Sequence, residues 1–291
     1  MSTTVTPRVA VAARAASGPV GGGVALWVTR VCLVLFCLLV ILPAVWVFVA
    51  SVQKGSSAFS SSLIPTSFSL DNYSKVIDAG FWIWLKNSFI VCTSIGVISL
   101  LVNMLGAYAF SRLRFKGKRY GLMFLFVLQM FPATMALVAI YTLLIDVNLL
   151  DTLLGIILVG VGGSAFNMWL IKNYFDSLPR ELDEAATVDG ASSFTVFWRI
   201  LLPLMRPMLA TIFIFSFTAS YNDFLFASLV LQSPDNYTVT VGLFHLISGQ
   251  YTTNWAQFAA GAVLASLPIL IIYLSLQRQL LSGLAAGSVK G

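Results

Sequence analysis

Six stretches of about 20 residues carry almost no charge, at approximately 28–50, 87–110, 120–145, 153–171, 207–231 and 257–277. A helix rises about 1.5 Å per residue and the hydrocarbon core of a bilayer is about 30 Å thick, so each run is long enough to cross. Lipid supplies no hydrogen bonds, so a crossing segment must satisfy its own backbone. The runs are continuous rather than alternating, which predicts helices and not the strands of a barrel. The expected fold class is an all-α polytopic membrane protein with six transmembrane helices. Composition agrees, since 58% of the residues are hydrophobic and 10% charged, against roughly 25% charged in a soluble domain. A net charge of +6 on so few ionisable groups makes no basic face for nucleic acid, and none is expected as a partner.

Direction follows from the cations, because short basic loops stay in the cytoplasm. Arg8, Arg14 and Arg30 precede or open the first run, and Arg112, Arg114, Lys116, Lys118 and Arg119 separate the second from the third. Lys172, Arg180, Arg199 and Arg206 separate the fourth from the fifth, and Arg278 and Lys290 follow the sixth. Only Lys54, Lys75 and Lys86 fall on the other side, so both termini are expected in the cytoplasm. The first apolar run exceeds the 7–15 residues of a signal peptide and no A-x-A site follows it, so it should stay uncleaved. Residues 1–23, rich in Ala, Gly, Ser and Thr, read as a flexible cytoplasmic extension before a six-helix domain over 24–282.

No chemistry of its own is encoded. The Gly117-Lys118 pair is followed by Arg119, so there is no nucleotide-phosphate cradle with a magnesium-binding hydroxyl. Cys32, Cys37 and Cys92 lie inside apolar runs and read as packing residues, and His245 has no second ligand to share a metal with. No nucleophile elbow or paired intramembrane carboxylate suggests an enzyme, so no cofactor or metal is expected on this chain.

One polar segment, residues 179–203, has a definite design. Pro179 suits a helix start, Glu181, Asp183 and Glu184 suit its first turns, and Gly190 can take the left-handed conformation that ends it. Ser192 or Ser193 can cap a second helix that sets Phe194, Phe197 and Trp198 towards one side, with Pro203 marking the passage to the fifth run. Ala185 and Ala186 are small enough to let a partner surface approach. The physics alone serves equally a helix pair lying on its own bundle. The spacing decides: Glu184-Ala185-Ala186, three residues ending in Asp189, Gly190, nine residues, then Ile200-Leu201-Leu202-Pro203. This resembles the E-A-A-x3-G-x9-I-x-L-P loop of permease subunits of binding-protein-dependent ABC importers.

The resemblance extends on both sides, through Ala107-Tyr108-Ala109-Phe110-Ser111-Arg112, Phe115-Lys116-Gly117-Lys118, Gln129-Met130-Phe131-Pro132 and the end of the chain from Gln277 to Gly291. These segments are similar to the carbohydrate branch, nearest to the smaller permease subunit of maltose/maltodextrin importers. The outer loop after the first run is shorter than in that type, and Tyr221-Asn222-Asp223-Phe224 is closer to the W-N-[DE]-F of general sugar permeases. Trehalose or another di- or oligosaccharide therefore stands beside maltodextrin as the substrate. The resemblance implies a bacterial or archaeal inner membrane, a second MalF-like permease subunit, two ATPase subunits that hold ATP and Mg, and an extracytoplasmic sugar-binding protein. It assigns Glu184, Ala185, Ala186, Asp189, Gly190, Ile200 and Pro203 to ATPase coupling. It also sends the C-terminal tail between the ATPases, with contacts at Gly287, Ser288, Val289, Lys290 and Gly291. Three glycines in 283–291 suit an extended tail better than a helix. The outer loop at 248–255 would reach into the binding protein, where Gln250, Thr252, Thr253 and Asn254 offer hydrogen bonds and Tyr251 and Trp255 stacking surfaces. An interfacial aromatic belt is the plainer role for those two rings.

Polar groups inside the runs are costly unless they meet protein or water. Asn103, Gln129 and Asn167 read as interhelical glue, while Tyr221, Asn222 and Asp223 together could stack on and hydrogen-bond a sugar. Small residues at four-residue spacing, Gly160 with Ser164 and Gly261 with Ala265, would permit close helix approach, and Pro43, Pro132 and Pro268 would kink their helices. A stand-alone ion-coupled carrier is the rival reading. It needs its own midplane carboxylates, and the runs hold only Asp223.

Overall fold

The computed structural model describes residues 23–54, 68–162, 164–248 and 254–288, with side chains described except at 133, 278 and 280–288. Among them the only β pairing is an isolated antiparallel bridge between Gln53 and Phe68. The chain falls into two units, one up to Trp46 and one from Val47 onward. The first holds most of helix α1 (Gly23–Ser51), which is apolar and exposed on all sides, the pattern of a helix made for lipid or for another chain.

Short α2 (Asp71–Asp78) is tied down by Asn72, whose amide donates to the carbonyls of Ser51 at 3.1 Å and Gln53 at 2.8 Å. Central helix α3 (Phe81–Arg112) buries Trp84, Ser88, Val91, Cys92, Ile95 and Ser99 at three- and four-residue steps, the stripe that neighbours on several sides require. It packs chiefly on α7 (Ala165–Ser177) and α10 (Arg206–Tyr221).

Three of the six predicted runs are not straight helices. The third is α4 (Lys118–Gln129), then a 3₁₀ turn and α5 (Leu137–Asp146), with a 73° bend between the halves. Pro132 lies at the break, lacking the N–H that would continue the ladder. The fourth is α6 (Leu153–Gly160) and α7, bent by 51°. Glycines end the first half, and the Ser164 hydroxyl starts the second by accepting from the Asn167 N–H at 3.3 Å. The fifth is α10 and α11 (Leu225–Val230), parted at Asn222–Phe224, where the Asp223 carboxylate accepts from the Phe226 N–H at 3.2 Å and caps the second piece. After a short α12 (Val239–Ile247), helix α13 (Trp255–Ser288) is continuous through Pro268, as α1 is through Pro43. Helices α1, α3 and α13 are each long and apolar enough to cross a membrane, and three bent pairs, α4 with α5, α6 with α7, and α10 with the segment Ser193–Leu204 before it, bring the possible crossings to six.

Close approach is real where small residues were placed. A Cβ on Gly160 would meet the Ile95 Cδ1 at 2.4 Å, and Ala256 and Ala260 of α13 are fully buried. Asn167 is interhelical glue, donating to the Ser216 hydroxyl of α10 at 3.3 Å. Asn103 is not: it is 0% exposed and neither amide atom has a partner among the described residues. Its turn of α3 also buries Met104 and Ala107, which belong to an apolar cluster.

The expected extended tail is also corrected. Helix α13 runs to Ser288, so Gly287 and Ser288 are helical, and Val289, Lys290 and Gly291 lie outside the described residues. Extending an existing helix costs far less than nucleating one, and Leu284, Ala285 and Ala286 favour it between the glycines.

Candidate coupling loop and central cavity

The segment 179–203 folds as the helix pair its residues call for. Helix α8 (Glu181–Val188) ends in a reciprocal cap: the Gly190 N–H donates to the Thr187 carbonyl at 3.0 Å and the Ala191 N–H to that of Ala186 at 2.9 Å. Gly190 has φ +82°, the left-handed conformation this cap needs. A Cβ there would meet nothing within 4 Å, so the demand for glycine is conformational and the surface beyond is open. The Ser192 hydroxyl then accepts from the Thr195 N–H at 3.3 Å and caps α9 (Ser193–Leu204), which contains a π turn at Val196–Leu201. An 80° bend at Met205 joins α9 to α10.

Burial divides the motif into an inner and an outer set. Glu184, Ala185, Asp189, Gly190 and Pro203 are exposed and Ile200 is half-buried. Ala186, expected to admit a partner, is instead buried on its own bundle with Phe175, Phe197 and Leu201. The three aromatics also differ in burial. Phe197 turns inward, its ring centroid 4.8 Å from that of Tyr108, while Phe194 and Trp198 pair outside at 5.9 Å. Consecutive helical residues point about 100° apart, so Phe197 is buried while Trp198 stays partly exposed, the two rings still meeting edge-on at 5.4 Å.

An electrostatic anchor missed in the sequence fastens α8 to the end of α3. Arg112 Nε lies 2.6 Å from the Asp183 carboxylate, and its Nη2 donates to the Leu178 carbonyl at 3.1 Å. Burial pushes the Asp183 carboxyl up, against the opposing pull of Arg112 and Arg180, and neighbouring Glu184 adds to the rise. Beside it Asp176 accepts from the Ser111 hydroxyl and pairs with Lys172, each at 2.6 Å. In the sequence Arg112 marked only topology and Asp183 only a helix start. Its one signal was Ser111-Arg112 within a family segment.

A cavity of about 590 Å³ opens between α3, α6, α7 and α10, with Asp223, Asn167, Ser216 and Ser220 among its polar lining. Of the three path candidates only Asp223 reaches it. The Tyr221 ring stacks on Phe217 and its hydroxyl donates to the Ala265 carbonyl at 2.8 Å, so both are engaged in the core. Asn222 is exposed and its amide donates to the Thr218 carbonyl at 2.9 Å. The triplet is a helix break, which scatters consecutive side chains.

Of the expected binding-protein loop, Gln250, Tyr251, Thr252 and Thr253 lie outside the described residues. Asn254 accepts from the Gln257 N–H at 3.0 Å as the cap of α13, and Trp255 sits edge-on to Phe258 at 6.0 Å. Elsewhere, Asp151 ties the loop before α6 to the link after α11. It accepts from the backbone N–H groups of Gln232 at 2.8 Å and Ser233 at 3.0 Å, and from the Ser233 hydroxyl. Burial works to raise this carboxyl, but the hydrogen bonds from Ser233, Gln232 and Asn236 hold it below the usual range.

The family described as binding-protein-dependent transport system inner membrane component matches residues 102–285. Among curated relatives, the galactooligosaccharides transport system permease protein GanQ of Bacillus subtilis (strain 168) is 38% identical over 265 residues, covering 89% of this chain and 93% of its own. The maltodextrin transport system permease protein MdxG of the same strain is 37% identical, covering 90% and 95%. The maltose/maltodextrin transport system permease protein MalG of Escherichia coli (strain K12) is 37% identical, covering 91% and 96%. Among solved structures, a bacterial ABC transporter involved in the import of the acidic polysaccharide alginate aligns with a TM-score of 0.76 at 25% identity, covering 89% of this chain and 99% of that one. With the family matched across more than half of its length and these relatives across nearly all of it, the chain belongs to the binding-protein-dependent transport system inner membrane components, as a permease subunit of an ABC importer.

Proposed function

We propose that this subunit forms half of the path of an ATP-driven sugar importer, passing maltose, maltodextrin or another di- or oligosaccharide. Its partners in this reading are a MalF-like second permease, two ATPase subunits that hold ATP and Mg, and an extracytoplasmic sugar-binding protein. Both termini lie in the cytoplasm. The observation that carries the reading is the division of the loop at 179–203. Glu184, Ala185 and Gly190 face outward, while Ala186, Phe197 and the Arg112–Asp183 pair fix the same helices to the bundle. A surface offered to a partner and held rigidly from behind suits the transmission of an ATPase movement to the attached helices. Asp223, with Asn167 and Ser216, gives the cavity hydrogen-bonding groups for sugar hydroxyls.

The test is Glu184→Lys and, separately, Gly190→Pro in the assembled importer. The first reverses a charge on the outer surface and the second cannot adopt φ +82°. Sugar-stimulated ATP hydrolysis and uptake should be abolished while the chain still inserts, and wild-type stimulation in either variant would refute the coupling role. Exchanging Gln250–Asn254 for a Gly-Ser linker should impair sugar release without weakening ATPase assembly. Removing Ser282–Gly291 should weaken that assembly. The sugar retained by the purified binding protein names the substrate.

A further inference from the structure

A second pocket, of about 380 Å³, lies at the loop-bearing end of the bundle, between the end of α3, the start of α4, α7 and the head of α8. Its walls hold Arg112, Lys118, Arg119, Lys172 and Arg180 against a single carboxylate, Asp176. Three of these cations are engaged: Arg112 with Asp183, Lys172 with Asp176, and Lys118 with the carbonyls of Ser111 and Leu113, each at 3.0 Å. The carboxylate is itself taken up by Lys172 and Ser111. Among the described residues neither Arg119 nor Arg180 is in an ion pair, both are exposed, and the Arg119 guanidinium lies 5.8 Å from the Tyr120 ring centroid. The pocket therefore holds a surplus of positive charge, with two guanidinium forks available. That geometry matches the paired oxygens of a phosphate.

We propose that this pocket binds the phosphodiester of an anionic phospholipid. The attached chains have somewhere to go: Phe110 and Leu122 form the apolar part of the wall, and Tyr120, Met123 and Phe124 continue an exposed apolar surface along α4. A free phosphate would use the cations but not that surface. Basic pockets between membrane helices at the face carrying the positive loops are where acidic headgroups gather. The site is independent of the coupling reading and uses none of its outward residues.

Native mass spectrometry of the whole importer, offered equal amounts of palmitoyl-oleoyl phosphatidylglycerol and palmitoyl-oleoyl phosphatidylcholine, tests it. The wild type should retain phosphatidylglycerol preferentially. Arg119→Gln with Arg180→Gln should cut retention of one such lipid about 30-fold, and Arg119→Lys with Arg180→Lys should restore most of it. Excess inorganic phosphate should not displace the lipid. Equal retention of the two lipids, unchanged retention in the glutamine pair, or displacement by phosphate would each overturn the assignment, the last giving the pocket to a free anion. If the glutamine pair does not assemble, a headgroup-photoactivatable phosphatidylglycerol on the wild type decides. Crosslinks within 110–122 or at Arg180 support the site, and their absence there refutes it.

Discussion

Replacing Arg112 with methionine keeps the bulk of the side chain and removes both of its attachments to the coupling loop. The guanidinium side chain is 7% exposed and the Asp183 carboxylate 23%. Breaking a fully buried pair costs about 3–5 kcal/mol and breaking an exposed one about 0.2–1 kcal/mol, so this pair falls between. The bond to the Leu178 carbonyl adds about 1 kcal/mol. Together these give about 2–3 kcal/mol for Arg112→Met. Asp183→Asn should cost about 1–2 kcal/mol, because it removes the charge facing the guanidinium but keeps the shape of the side chain and the Arg112 bond to Leu178. Unfolding of the two single variants and the double variant in detergent closes a cycle whose coupling energy should be about 1–2 kcal/mol. If the two losses add to within about 0.5 kcal/mol, the residues act independently and the anchor is not an energetic unit. The functional arm is sugar-stimulated ATP hydrolysis: Arg112→Met should dock the ATPases yet lose stimulation, since the loop is then loosely held.

Three further outcomes follow from the geometry. Tyr221→Phe should lower stability by about 1–2 kcal/mol by removing the buried hydrogen bond to the Ala265 carbonyl while the KM for uptake stays at its wild-type value, whereas Asp223→Asn should raise that KM; a KM change in the phenylalanine variant would return Tyr221 to the path. Asn103→Leu should stabilise the chain by about 1–2 kcal/mol in thermal unfolding, because it removes a buried amide with no partner among the described residues. The lowered carboxyl of Asp151 binds its proton less readily folded than unfolded, so its contribution is complete above the unfolded value of about 3.9 and is lost as pH falls through the folded one; Asp151→Asn should flatten the pH dependence of unfolding below about pH 4, and an unchanged profile would refute it.

How far the sequence reveals these features depends on whether their cause is local. Apolar length placed all the long helices, because spanning lipid demands it of each segment separately. Pro132 announced the break in the third run for the same reason. The break at Asn222–Phe224 has no proline or glycine, and the polar Asn222 and Asp223 that mark it read equally as path-lining groups on an unbroken helix. It became visible only when Asp223 was found capping α11 and Tyr221 buried against α13. The cap at Gly190 was legible because the left-handed turn depends on that residue's own φ. The burial of Phe197 depends on Tyr108 and Phe175, which other helices bring to it, and has no local signature. The Arg112–Asp183 pair joins segments whose approach is set by the packing of α3 on α7, a consequence of the whole bundle.

The 80° bend at Met205 sets a gear ratio between the two ends of α10. That helix has 16 residues and so extends about 24 Å. Ser216, on the cavity wall, lies about 15 Å from the bend, and Tyr221 about 22 Å. If α10 pivots at Met205 by about 10°, Ser216 travels roughly 2.6 Å and Tyr221 roughly 4 Å, while atoms at the bend hardly move. Displacements of that size make or break a hydrogen bond of about 2.7–3.2 Å. The donors and acceptors lining the cavity can therefore be rearranged completely by a rotation too slight to disturb the packing of Met205 itself, which is fully buried.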